Sequence, residues 1–143
     1  MTGWQLVHVF ALGVWLGCVT IESVLEAFGH RDPALRPAVA RIHFWIDMLV
    51  EVPAFALVAG SGAMMLRLEL LHGAYALMVI TGSIAIAVNL WCVLPVVRRR
   101  SAAESNDAAG IEAQSRRIYR AFAVGVPLGL MALLAGLLHR FMI

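Results

Sequence analysis

Lysine is absent from this sequence, and charge of any kind is scarce. Charged residues make up 14% of the 143 positions, against about 25% in an ordinary soluble domain. Hydrophobic residues account for 62%. A soluble domain of this length could not hide so much apolar surface, whereas a bilayer accepts it as solvent. Cysteine is nearly absent too. Cys18 and Cys92 both fall inside apolar stretches, which excludes a disulfide framework and the paired spacing of a zinc finger. The first apolar stretch lacks a basic leader and a small-x-small exit, and it carries Glu22 and Glu26 near its end. It therefore reads as a retained span, not a cleaved signal peptide. No repeat of solenoid type is present, and no nucleic-acid partner is expected.

What the sequence does have is four long apolar segments, roughly Trp4 to Phe28, Arg41 to Leu66, Leu71 to Val97 and Tyr119 to Met142. At ~1.5 Å rise per residue each is long enough to cross a ~30 Å hydrocarbon layer. Short connections at Gly29–Pro37 and Arg67–Leu70 make consecutive spans antiparallel neighbours. The expected fold is all-α: a single domain, residues 1–143, forming an integral membrane four-helix bundle of up-down-up-down topology. A polar linker is expected from Ser101 to Gln114. Arginine fixes the expected orientation. Arg31, Arg36, Arg41, Arg98, Arg99, Arg100, Arg116, Arg117 and Arg120 flank the two connections on one side, against Arg67 and Arg140 on the other. By the positive-inside rule both termini should face the periplasm or cell exterior, with the chain in the inner (cytoplasmic) membrane.

Charged groups at bilayer depth cost about 2.5–3.5 kcal/mol each on insertion scales and so require a reason. Four of the nine acidic residues, Glu22, Glu26, Asp47 and Glu51, lie in or near the spans, accompanied by His8 and His43. His8, Ala11, Trp15, Cys18, Glu22 and Glu26 follow steps of three and four, which align them on one face of the first helix. His43, Asp47 and Glu51 recur every fourth residue on the second. With the hairpin turning near Asp32, Glu22 should sit level with His43 and Cys18 with Asp47. Lipid accepts neither stripe, so the two should face each other. Inward carboxylates with an imidazole form a hard-to-borderline site suited to iron, manganese, zinc or copper. Bland readings compete. Glu26 could pair with Arg41 at the membrane edge. Asp47 could cap a turn opened by Pro53, which has no backbone donor for the carbonyl of Leu49.

A second group gathers toward the opposite side: His8 near the start of the first helix, His72 opening the third and His139 closing the fourth, with Met64 and Met65 nearby. Imidazole and thioether ligands suit haem iron or copper. Interfacial placement is the more ordinary reading of His72 and His139, whereas His8 lies a turn deeper and is the better ligand candidate. Trp4 and Tyr119 read as aromatic-belt residues. Trp15, Trp45 and Trp91 read as packing or lipid contacts. Gly60, Gly62, Gly125 and Gly129 read as points of close helix approach, and Asn89 as an interhelical donor or a partner of the carboxylates.

His8, Trp15 and Gly17 give H-x6-W-x-G, which resembles the opening helix of the copper-resistance CopD superfamily, a group that includes the HemJ-type protoporphyrinogen oxidases. Ala40-Arg41, Asp47, Pro53, Gly62 and Leu94-Pro95-Val96-Val97 resemble a four-helix branch of that superfamily. The resemblance implies a four-helix bundle and a role for His8 like that of the histidine serving haem or copper in related branches. Glu22, Glu26, His43 and Glu51 stand outside that pattern and point to added metal chemistry.

The expected function is a membrane protein that holds a transition metal through Glu22, Glu26, His43, Asp47 and Glu51, with redox chemistry on a membrane-soluble small molecule. The alternatives are haem b on His8, with His72 and His139 as further ligands, a proton or cation relay, and a non-catalytic subunit. Because the third and fourth helices offer few ligands, a homodimer is expected to complete the ligand set.

Overall fold

Thr2 opens the first helix with a capping box. Its hydroxyl accepts from the Gln5 amide, while the Gln5 side-chain oxygen accepts from the Thr2 amide at 2.8 Å, so orphan donors are satisfied at both positions. Helix α1 then runs Gly3–Arg31. Asp32 ends it and caps the following turn, its carboxylate accepting from the Ala34 amide at 2.9 Å. The second span is continuous but compound. It comprises a 3-10 turn at Pro33–Leu35, helix α2 (Arg36–Ile46), a π-helical turn at Asp47–Glu51 and helix α3 (Val52–Met65). Helices α4 (Gly73–Glu104) and α5 (Ala108–Phe141) complete the chain. The computed structural model describes residues 2–141. Among these there is no strand, and the four long helical segments form the expected up-down-up-down bundle.

The π turn has a local cause. Proline at 53 cannot donate to the carbonyl of Leu49. The helix widens by one residue instead, and the Val52 amide donates to the carbonyl of Asp47. Wide turns of this kind recur at functional sites because they re-aim the side chains they carry. Here those side chains include Asp47 and Glu51.

The polar stretch from Ser101 to Gln114 is not the expected linker. It is helical on both sides of a turn at residues 105–107. Alanines favour helix there, and Ala103 and Ile111 bury against Ala40 of α2. Asn106 takes the left-handed conformation at the turn (φ 56°), which a short polar side chain tolerates. Asp107 then accepts from the Gly110 amide at 2.9 Å. Helices α4 and α5 pack closely along their length, and α1 packs chiefly on α3. Gly125 and Gly129 permit the close approach expected of them. Gly125 lies against Val88 and Asn89, and a methyl group at Gly129 would overlap the indole of Trp15.

Polarity is inverted relative to a soluble protein. Leu, Ile, Val and Phe side chains face outward along every span. Glu22, His43, Asp47, Glu51 and Arg99 are buried, and Arg99 is the largest fully buried side chain. Each of the four helical segments is long and apolar enough to cross a membrane. An apolar exterior around a charged interior is stable only in lipid, so this is a multi-pass membrane protein.

Candidate functional site

The facing stripes predicted for the first two spans meet, with Glu26 closest to His43 and Glu22 set between His43 and Asp47. Helix α1 supplies Glu22 and Glu26, α2 supplies His43, and the π turn supplies Asp47 and Glu51. His43 is the centre. Its Nδ1 lies 2.7 Å from Glu26 Oε1, and its Nε2 lies 3.4 Å from Asp47 Oδ1 and 3.8 Å from Glu22 Oε2. Ligand atoms of Glu22, His43 and Asp47 all fall within 4.8 Å of one another. These three residues are 5%, 5% and 3% exposed. Glu51 adjoins Asp47 at the far side of the group. Glu26 takes no part in the three-residue group and contacts the other nitrogen of His43.

Arg99 of α4 is the residue that sequence reasoning missed. Its Nη2 lies 2.7 Å from Glu26 Oε1 and 2.8 Å from His43 Nδ1, and Nη1 donates to Ser115 Oγ at 3.3 Å. The expected partner of Glu26, Arg41, is exposed on the outside of α2 and makes no ion pair among the described residues. The physical reason is helix phase: Arg41 precedes His43 by two positions, which turns it away from the face His43 presents. A signal for Arg99 was present. Asn89, Cys92, Val96, Arg99 and Ala103 follow three- and four-residue steps on α4, the spacing of an inward face.

The tautomer of His43 decides what its second nitrogen can do. Arg99 can only donate, and Glu26 as a carboxylate can only accept. When Nδ1–H donates to Glu26, the lone pair of Nε2 faces Glu22 and Asp47. When Nδ1 instead accepts from Arg99, Nε2–H points at Asp47. The first arrangement matches the carboxylate–histidine pairing that orients imidazole ligands toward metals. Two carboxylate oxygens of this group are otherwise unmatched. Glu22 Oε1 and Asp47 Oδ1 are buried without a hydrogen-bond partner, and orphaned buried acceptors are rare in folded proteins. Adjacent carboxylates hold such positions only with a proton or a cation between them.

Two cavities flank the cluster. The inner one, about 20 Å³, is lined by Glu22, His43, Asp47, Glu51, Asn89 and Cys92, with apolar residues closing it. A water needs at least ~10–15 Å³, so this space suits one water or one ion. The outer one, about 250 Å³, lies toward the α1–α2 and α4–α5 turns, and Glu26, Arg99, Arg36, Ser115 and Tyr119 form part of its wall. The Glu26–His43–Arg99 group stands between the two. Beyond the inner cavity the bundle closes. Trp15, 2% exposed, packs on Phe55 with ring centroids 6.0 Å apart and fills the space over Gly129.

The other predicted ligands are dispersed. His8 Nδ1 lies 2.9 Å from Ser61 Oγ and 3.1 Å from the Val58 carbonyl. His139 lies against the ring of Tyr75, centroids 5.1 Å apart, and His72 is exposed at the start of α4. Among the described residues, no group of three His, Cys, Asp or Glu ligands forms at that end. Comparison of the chain with protein-family models, curated proteins and solved structures gives no match.

Proposed function

We propose that this protein binds a single divalent transition-metal ion between its first two spans, with Glu22, His43 and Asp47 as ligands and Glu51 beside them. The observation that carries the reading is the buried group itself: Asp47 Oδ1 and Glu22 Oε2 lie 3.4 and 3.8 Å from His43 Nε2, and Asp47 Oδ1 and the other Glu22 oxygen, Oε1, are buried without a hydrogen-bond partner. Charge bookkeeping agrees. Arg99 and Glu26 neutralise each other, which leaves three carboxylates in low dielectric. A divalent cation and one retained proton would balance them. The small volume of the inner cavity favours one ion over two, since paired ions stand ~3.5–4 Å apart.

In this reading Glu26 holds the His43 tautomer, Arg99 fixes Glu26, and Trp15 with Phe55 excludes water from the closed end. Iron, copper or manganese there would supply one-electron chemistry to a membrane-soluble substrate, whereas zinc would not. The chain sits in the cytoplasmic membrane with both termini outside, so the larger cavity opens toward the cytoplasm. The arginine distribution motivates that orientation.

A second reading is haem held by His8, in keeping with the CopD-like motif. It draws on the anchoring of His8 Nδ1 by Val58 and Ser61, which leaves Nε2 as the ligand nitrogen.

Elemental analysis of the purified protein, with an optical spectrum, separates the readings. The first predicts near one equivalent of metal without a Soret band, lost in the Glu22→Gln/Asp47→Asn double variant. Full occupancy in a folded double variant would overturn it.

A further inference from the structure

Sequence spacing gave α4 few ligands, and the metal reading above accounts for Glu22, His43 and Asp47, with Glu51 beside them. The wall of the inner cavity contributed by α4 contains Asn89 and Cys92. Cys92 is a free, half-buried thiol on that wall, outside the three-residue group whose ligand atoms lie within 4.8 Å of one another. It stands one α4 register, i to i+7, before Arg99, whose position against Glu26 and His43 ties this face of α4 to the cluster. Glu22 and Asp47 line the same cavity, each carries an unpartnered oxygen, and both residues are more than nine-tenths buried. The other free cysteine, Cys18 on α1, is buried but does not line this cavity.

We infer that Cys92 is the fourth ligand of the proposed metal site and makes it selective for thiophilic divalent ions over magnesium, calcium and manganese. The proposal rests on the metal reading and deepens it. The argument is one of donor chemistry. Two carboxylates and an imidazole accept many divalent ions, and one thiolate shifts preference toward zinc, cobalt and ferrous iron. Four donors of this kind match the tetrahedral habit of zinc. Asn89, whose Nδ2 donates to the Ala85 carbonyl at 2.8 Å, presents a neutral amide oxygen, a weak ligand for a borderline ion, so Cys92 is the stronger donor that α4 can add. On coordination the S–H bond breaks, a sulfur–metal bond forms, and the proton stays on a carboxylate of the group, so that the divalent ion and two protons balance three carboxylates and the thiolate.

Cobalt tests this, because thiolate ligation gives an intense near-ultraviolet charge-transfer band that carboxylate and imidazole ligands do not. Metal-free full-length protein in detergent is titrated with Co²⁺, with bound cobalt measured by equilibrium dialysis. The expected result is stoichiometric Co²⁺ with the charge-transfer band, retained in Cys18→Ser and lost in Cys92→Ser and Cys92→Ala. Bound cobalt lacking the band, or a band that survives Cys92→Ser, would overturn the role of Cys92 while leaving the metal site in place. Failure of the native chain to bind cobalt at all would overturn both. A measurement without any variant covers misfolding: Zn²⁺ should slow maleimide alkylation of Cys92 in the native chain. An unchanged rate with zinc bound would refute the ligation.

Discussion

Arginine 99 offers the most direct test of how the bundle is held together. Its guanidinium is 2% exposed and its partner carboxylate on Glu26 is 14% exposed, with 2.7 Å between them. Removing one member of such a pair strands the other charge in low dielectric, at a cost of about 3–5 kcal/mol. Arg99→Met should therefore lose that much stability, and Glu26→Gln a comparable amount. The Arg99→Met/Glu26→Gln double variant strands no charge from this pair. Its loss should fall short of the sum of the singles by about 2 kcal/mol or more, within the range seen for contacting residues. Equilibrium unfolding in micelles, with a chelator present so that metal does not contribute, measures all three. Arg116→Met is the internal control. Arg116 and its partner Glu112 are 65% and 45% exposed, so the change should fall in the ~0–1 kcal/mol range of exposed pairs. A loss below ~1 kcal/mol for Arg99→Met, or strict additivity in the cycle, would refute the view that this pair ties α4 to α1.

Other outcomes follow from the same geometry. A topology reporter fused after Ile143 should read as periplasmic and one inserted near Asn106 as cytoplasmic; reversed signals would overturn the orientation. Glu51→Gln should lower metal occupancy less than Asp47→Asn, because Glu51 stands outside the three-residue group, and elemental analysis of both variants checks the order. Gly129→Ala forces a methyl into the indole of Trp15 and should cost about 1–3 kcal/mol by overpacking, measured by the same unfolding assay. If haem is bound, His8→Ala should abolish the Soret band, and a colourless native protein from haem-supplemented cells would discard that reading.

The bundle was legible in the sequence because its signals are long and redundant: four apolar spans, short turns, and arginines gathered on one side. The meeting of Glu22 with His43 and Asp47 was legible too, since residue steps of three and four fix a helix face and a tight hairpin fixes depth. Arg99 was obscured by its neighbours. Within Arg98-Arg99-Arg100 nothing in composition distinguishes the middle residue, and a run of three arginines reads as a solvated end. Only the phase of α4, carried from Asn89 through Cys92 and Val96, turns Arg99 inward while Arg98 stays exposed. The π turn was half legible. Pro53 marked a missing backbone donor, but whether the helix would kink or widen depends on packing against α1, which a single sequence does not display.

The wall formed by Trp15, Phe55 and Gly129 has an electrical consequence. With the larger cavity facing the cytoplasm, as proposed, an ion resting at Glu22 has crossed only part of the transmembrane voltage, and most of the remaining drop falls across that wall. A full crossing is worth ~2.3 kcal/mol per charge per 100 mV, so a divalent ion at partial depth feels a fraction of twice that value. In a cell with a negative interior, moving a cation outward from the cytoplasm runs uphill. An energised membrane would thus loosen the ion's hold, and depolarisation would tighten it.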